Sequence, residues 1–134
     1  MCCVDGAETR TVIAMTRVRR AVGAYGERLA ERNLTEQGMI VLARNWRCRD
    51  GEVDLILRDG ADTIVFCEVK TRRSDRFGTP AEAVGFAKVR RLRRLAARWL
   101  AESAHEAREV RFDLVSVLPQ PRGATQVEHV RAAF

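Results

Sequence analysis

The chain has 134 residues, 46% hydrophobic and 31% charged, with a formal net charge of +6. That length suits one domain with one sizeable core, and the composition excludes a disordered chain. No apolar run reaches the roughly 20 residues of a membrane helix. The first residues, MCCVDGAETRTVIAMTR, also lack the basic start and continuous apolar stretch of a secretory leader, so the cytoplasm is the expected location.

Residues 1 to 17 show no periodicity and are expected to form a disordered or dispensable tail, with Met15 an alternative start. From Val18 to Glu36 the residues Val18, Val22, Tyr25, Leu29 and Leu34 recur at helical spacing, and Gly38 stands where a helix ends. Met39 to Trp46 reads as a strand, Asp50-Gly51 as a turn and Glu52 to Leu57 as a second strand. Asp59-Gly60 then signals a hairpin into a third strand, Thr63 to Lys70. After the irregular stretch Thr71 to Thr79, a helix is expected from Pro80 to about Ala104, with a break near Gly85. Val89, Leu92, Leu95, Ala96, Trp99 and Leu100 share its apolar face, and Arg90, Arg91, Arg94 and Arg98 the opposite one. Arg111 to Leu118 and Gln126 to Ala132 give two more strands.

The order α-β-β-β-α-β-β predicts an α/β fold, a mixed five-stranded sheet flanked by helices, in a single domain over residues 18–134. Cys2, Cys3, Cys48 and Cys67 include no CxxC pair, so neither zinc nor a disulfide is expected, and Cys67 reads as a small buried hydrophobe. His105 and His129 lack metal-ligand spacing, and Trp46 and Trp99 suit core packing.

Charge is unevenly placed. Residues 70 to 98 hold ten basic residues against Asp75 and Glu82. A basic zone beside acidic strands suits a polyanion next to a cation site, which makes nucleic acid the expected partner. The candidate contacts there include Lys88, Arg91 and Arg94.

The chemistry centres on GEVDLILRDGADTIVFCEVKTR. Lys70 and Lys88 are the only lysines among 24 basic residues, and an ammonium has a pKa that can be moved whereas a guanidinium stays charged. On a strand Ile64, Phe66, Glu68 and Lys70 share one face and Val65, Cys67 and Val69 the other. Both faces are apolar until Glu68, so a polar cleft is expected at the strand's end. A hairpin between the second and third strands would bring Asp54 to that end. Carboxylates of Asp54 and Glu68 with the Val69 backbone carbonyl would suit Mg²⁺ or Mn²⁺. Lys70 would then stabilise developing charge or serve the attacking water.

Glu-x-Lys alone carries little weight, but the wider pattern resembles the YraN-like family of small bacterial proteins. These form a branch of the restriction-endonuclease-like, PD-(D/E)xK, superfamily. The likeness rests on Gly26-Glu27, Arg44-Asn45-Trp46-Arg47, Gly51-Glu52-Val53-Asp54-Leu55-Ile56 and Phe66-Cys67-Glu68-Val69-Lys70-Thr71-Arg72. It implies a restriction-endonuclease-like core with Asp54, Glu68 and Lys70 in the catalytic set, although Val53 replaces the proline that often precedes the first carboxylate. The pattern is also similar to archaeal Holliday-junction resolvases, which implies that Glu27 on the first helix completes the site. Arg47, Arg72 and Arg73 would contact phosphate, whereas Glu52 and Asp59 read as turn-flanking acids. Gly23 and Gly26 on a good helix point to close packing near the site, since glycine costs roughly 1 kcal/mol there.

The expected function is metal-dependent endonucleolytic hydrolysis of DNA, branched or single-stranded DNA included, with a homodimer compatible with so small a domain. The alternative is a catalytically silent nucleic-acid-binding protein that uses the basic helix face.

Overall fold

The computed structural model describes residues 10–72 and 85–134, with side chains from residue 23 onward. Its elements are α1 (Arg10–Glu36), β1 (Ile40–Cys48), β2 (Gly51–Asp59), β3 (Thr63–Thr71), α2 (Phe86–Glu102), β4 (Glu109–Leu118) and β5 (Gln126–Val130). The five strands form one sheet in the order β1-β2-β3-β4-β5. Only β3 and β4 run parallel, with α2 in the connection between them. This is the mixed α/β arrangement expected of a restriction-endonuclease-like core.

Helix α1 begins at Arg10, eight residues before the expected start; residues 10–17 contain neither glycine nor proline to stop it, although four of them are β-branched and weaker helix formers. It ends as its sequence demands. Gly38 takes a φ of +96°, Gly38 N–H donates to Thr35 O at 3.0 Å, and Met39 N–H donates to Leu34 O at 3.2 Å. This is a Schellman motif, in which a left-handed residue satisfies the last carbonyls. The expected helix start at Pro80 lies outside the described residues.

The sheet is buried on both faces. Ala30 and Leu34 of α1 pack on Leu55, Leu57, Val65, Cys67, Val115 and Val117. Leu95, Ala96 and Trp99 of α2 cover Val53, Ile56, Ile64 and Phe66 on the other side. The alternation read from β3 is therefore real: Val65 and Cys67 face α1, while Ile64 and Phe66 face α2. Trp99 meets Phe66 edge-on, with ring centres 5.8 Å apart, and Trp46 packs against the same cluster. Cys48 and Cys67 are buried free thiols.

The inner stripe of α1 differs from the one the periodicity picked out. Gly26, Ala30 and Leu34 are buried, whereas Tyr25 is 42% exposed and its hydroxyl shares a 3.2 Å hydrogen bond with Thr125. Small residues let the helix approach the sheet, and a tyrosine on that line would hold it away. Away from the site, Asp113 is fully buried and accepts from Arg111 (2.8 Å), His129 (2.7 Å) and the Ala132 N–H (3.1 Å). These donors hold its carboxyl below the usual carboxylate range despite burial. His129 and Asp59, which joins the network through Arg111, thus have structural partners.

Candidate functional site

The hairpin of β2 and β3 decides the site. Its register pairs Leu57 with Val65 and Leu55 with Cys67, so one further step sets Asp54 opposite Glu68. There the backbone ladder gives way to a side chain: Val69 N–H donates to Asp54 Oδ2 at 2.8 Å. The hydrogen bond fixes the Asp54 carboxylate at the end of the sheet.

Helix α1 delivers a second carboxylate. A Cβ on Gly26 would overlap the Thr71 hydroxyl, so the helix can sit this close to the end of β3 only because residue 26 has no side chain. Glu27 follows immediately and enters the same region. The expectation for Gly23 fails, since a Cβ there would meet nothing within 4 Å. Asn45 on β1 stands near Glu27 and opposes the rise of its carboxyl pKa. It does so from a left-handed backbone conformation, φ +49°, which asparagine tolerates better than most residues.

The third carboxylate is Glu52. Oxygens of Glu27, Glu52 and Asp54 lie within 4.8 Å of one another. Glu52, read from the sequence as a turn-flanking acid, therefore belongs to the cluster, with Arg47 as its partner at 2.8 Å. The signal was present: residues 52 and 54 are two apart on one strand. For Asn45 no chemical signal existed beyond its place in the Arg44-Asn45-Trp46-Arg47 motif.

Electrostatic crowding follows. Burial pushes the Asp54 carboxyl up to about 7, against its hydrogen bond from Val69, and the charges of Glu27, Glu68 and Glu52 push the same way. Burial also raises Glu27, with Glu52 adding to the effect and Asn45 and Arg47 opposing it. A cation would relieve this crowding. All three donors are hard oxygens, the type that suits Mg²⁺ or Mn²⁺, so the residues present fit such an ion.

Glu68, across the hairpin from Asp54, lines a cleft of about 320 Å³ together with Glu52, Asp54 and Arg91. Its carboxylate is paired with the Lys88 ammonium of α2 rather than gathered into the three-carboxylate group. Lys88, expected as a phosphate contact, thus sits at the site itself. Lys70 follows Glu68 by two residues on β3 and is partly buried, with no ion pair among the described residues. Arg91 and Arg94 are exposed on α2. Arg72 is partly buried where its N–H donates to Val117 O at 2.8 Å, and Arg73 lies outside the described residues. No helix of the described residues is long and apolar enough to cross a membrane.

The model of the uncharacterised protein family UPF0102 matches residues 26–117. A UPF0102 protein from Frankia alni is 58% identical over 118 residues, covering 88% of this chain and 98% of that protein. One from Beutenbergia cavernae is 60% identical over 115 residues, covering 86% and 97%. One from Nocardia farcinica is 53% identical over 124 residues, covering 92% and 97%.

Proposed function

The chain belongs to the UPF0102 family, the YraN family whose motifs it carries, and from its site we propose that it is a metal-dependent endonuclease acting on DNA phosphodiesters. The observation that carries this reading is the meeting of Glu27 from α1 with Glu52 and Asp54 from β2 within 4.8 Å, beside Glu68 on β3, the strand that also bears Lys70.

Glu27, Glu52 and Asp54 would hold Mg²⁺ or Mn²⁺, with Glu68 and the Val69 carbonyl available beside them. Once bound, the ion supplies Lewis acidity toward a phosphate oxygen and lowers the pKa of water. The Val69 N–H orients Asp54, so that carboxylate need not be ordered when substrate arrives. Lys70 stabilises charge on the phosphate or takes a proton from the attacking water. Exposed arginines on α2 guide the polyanion to the cleft.

The direct test is Mn²⁺- and Mg²⁺-dependent cleavage of labelled single-stranded, duplex and four-way-junction DNA, with Lys70→Ala alongside. Product from wild type, reduced about 100-fold or more in the variant, is the expected result. Equal cleavage by both would overturn the assignment of Lys70.

A second reading is a nucleic-acid-binding protein without turnover. It is favoured by Arg91, Arg93 and Arg94, which are exposed along α2 and hold no ion pair among the described residues. Salt-sensitive DNA binding with no metal-dependent product would select it.

A further inference from the structure

Lys88 on α2 and Glu68 on β3 form an ion pair across the cleft, with side chains only 27% and 19% exposed. Glu68 lines the same cleft as Asp54 and Glu52, so the carboxylate this ammonium holds stands beside carboxylates that suit a divalent ion. The chain uses lysine only twice among 24 basic residues, and both lysines fall at Glu68. Lys70 follows it on the strand, and Lys88 reaches it from the helix. An ammonium is a compact charge on a flexible stem and can change partners, whereas a guanidinium tends to lock onto a carboxylate through two hydrogen bonds.

Arg91, one turn beyond Lys88, lines the cleft without taking a carboxylate among the described residues. Two neighbouring cations on one helix are therefore used differently: Arg91 is available to an incoming anion, and Lys88 is occupied by Glu68.

We propose that Lys88 is a displaceable counter-cation, holding Glu68 while the site is metal-free and moving to a phosphate oxygen of the substrate when a divalent ion takes that carboxylate. The inference rests on the metal-dependent nuclease reading. Ion and ammonium compete for Glu68, and a phosphate that draws Lys88 away frees the carboxylate for the ion. Metal and phosphodiester then favour each other's binding, and the coupling is reciprocal.

The test is Mn²⁺ titration of the full chain without nucleic acid, followed by electron paramagnetic resonance. Wild type is compared with Lys88→Met, Lys88→Gln, Lys88→Arg and Arg91→Met, and Lys88→Gln serves if the methionine variant does not fold. Lys88→Met and Lys88→Gln are expected to bind Mn²⁺ about three- to tenfold more tightly, because nothing competes for Glu68. Lys88→Arg keeps a cation on Glu68, held there by two hydrogen bonds, and binds Mn²⁺ no more tightly than wild type, and Arg91→Met gains less than the methionine and glutamine variants of Lys88. Unchanged or weaker binding in the methionine and glutamine variants overturns the inference while leaving the nuclease reading standing. An equal gain in Arg91→Met also overturns it, by reducing the effect to general charge. Absence of Mn²⁺ binding from all five proteins overturns both.

Discussion

Gly26 of α1 lies against Thr71 of β3 so closely that a single added methyl group would overlap the threonine hydroxyl. This contact sets how near α1 comes to the end of the sheet, and hence whether Glu27 reaches Asp54. Gly26→Ala is expected to destabilise the fold by about 1–3 kcal/mol, the usual cost of overpacking. Gly23→Ala, with open space around it, should be neutral or stabilising by up to about 1 kcal/mol. Urea unfolding of both variants checks the contrast, and adding Thr71→Ala to Gly26→Ala should recover part of the loss.

Asp54 makes stability depend on pH. Its carboxyl rises from 3.8 to about 7 on folding, so the folded chain holds the proton more tightly than the unfolded one. The associated stability is fully present below pH 3.8 and is lost as pH rises through about 7. The loss is on the order of 2–4 kcal/mol in metal-free protein. Asp54→Asn should flatten that stretch of the profile and be the more stable protein at pH 8 without divalent metal. Denaturant midpoints measured across pH 4 to 8 decide it. A profile that keeps the wild-type slope in the variant would assign the effect elsewhere.

Glu52 is expected to contribute to cation binding although it stands beside a turn. Glu52→Gln should weaken Mn²⁺ binding about tenfold or more. By removing a neighbouring negative charge, it should also lower the Asp54 pKa. Asp62→Asn removes an exposed acid in the hairpin loop at the opposite end of β2 and should leave Mn²⁺ affinity unchanged. Calorimetric titration of the two variants separates a local effect from a change in net charge.

Arg94 is exposed on α2 and does not line the cleft that holds Glu52, Asp54 and Glu68, so it should act on binding rather than chemistry. Arg94→Ala is expected to weaken DNA binding similarly for all sequences. It should also reduce the slope of log K against log salt by about 0.9 for duplex or 0.7 for single strands. Fluorescence anisotropy over a salt series reads both quantities, and an unchanged slope would remove Arg94 from the phosphate contacts.

Much of this molecule was legible because it is local. The period-two alternation of Ile64 to Val69 assigns each side chain to a sheet face, and the backbone pleat fixes that assignment wherever the strand lies. Gly38 ends α1 by its own left-handed φ. The apolar residues of α2 define its buried face before any partner is known. Asp54, Glu68 and Lys70 could be placed near one sheet end because a hairpin joins their strands. The buried stripe of α1 was misread at Tyr25, since periodicity ranks side chains by hydrophobicity and cannot see that close approach favours Gly26 and Ala30.

The element order, the faces of β3 and α2 and the nearness of Asp54, Glu68 and Lys70 can all be read from the chain, because they follow from spacing along one or two adjacent segments. Which charges meet depends instead on how the helices dock on the sheet. Glu27 joins Glu52 and Asp54 because Gly26 admits α1 to Thr71, Asn45 comes near Glu27 from a left-handed turn of β1, and Lys88 takes Glu68 because α2 packs across the β2–β3 hairpin. Each meeting depends on how a helix docks on the sheet, to within an ångström or two. That placement comes from many apolar contacts distributed over the whole core, and no short run of residues encodes it.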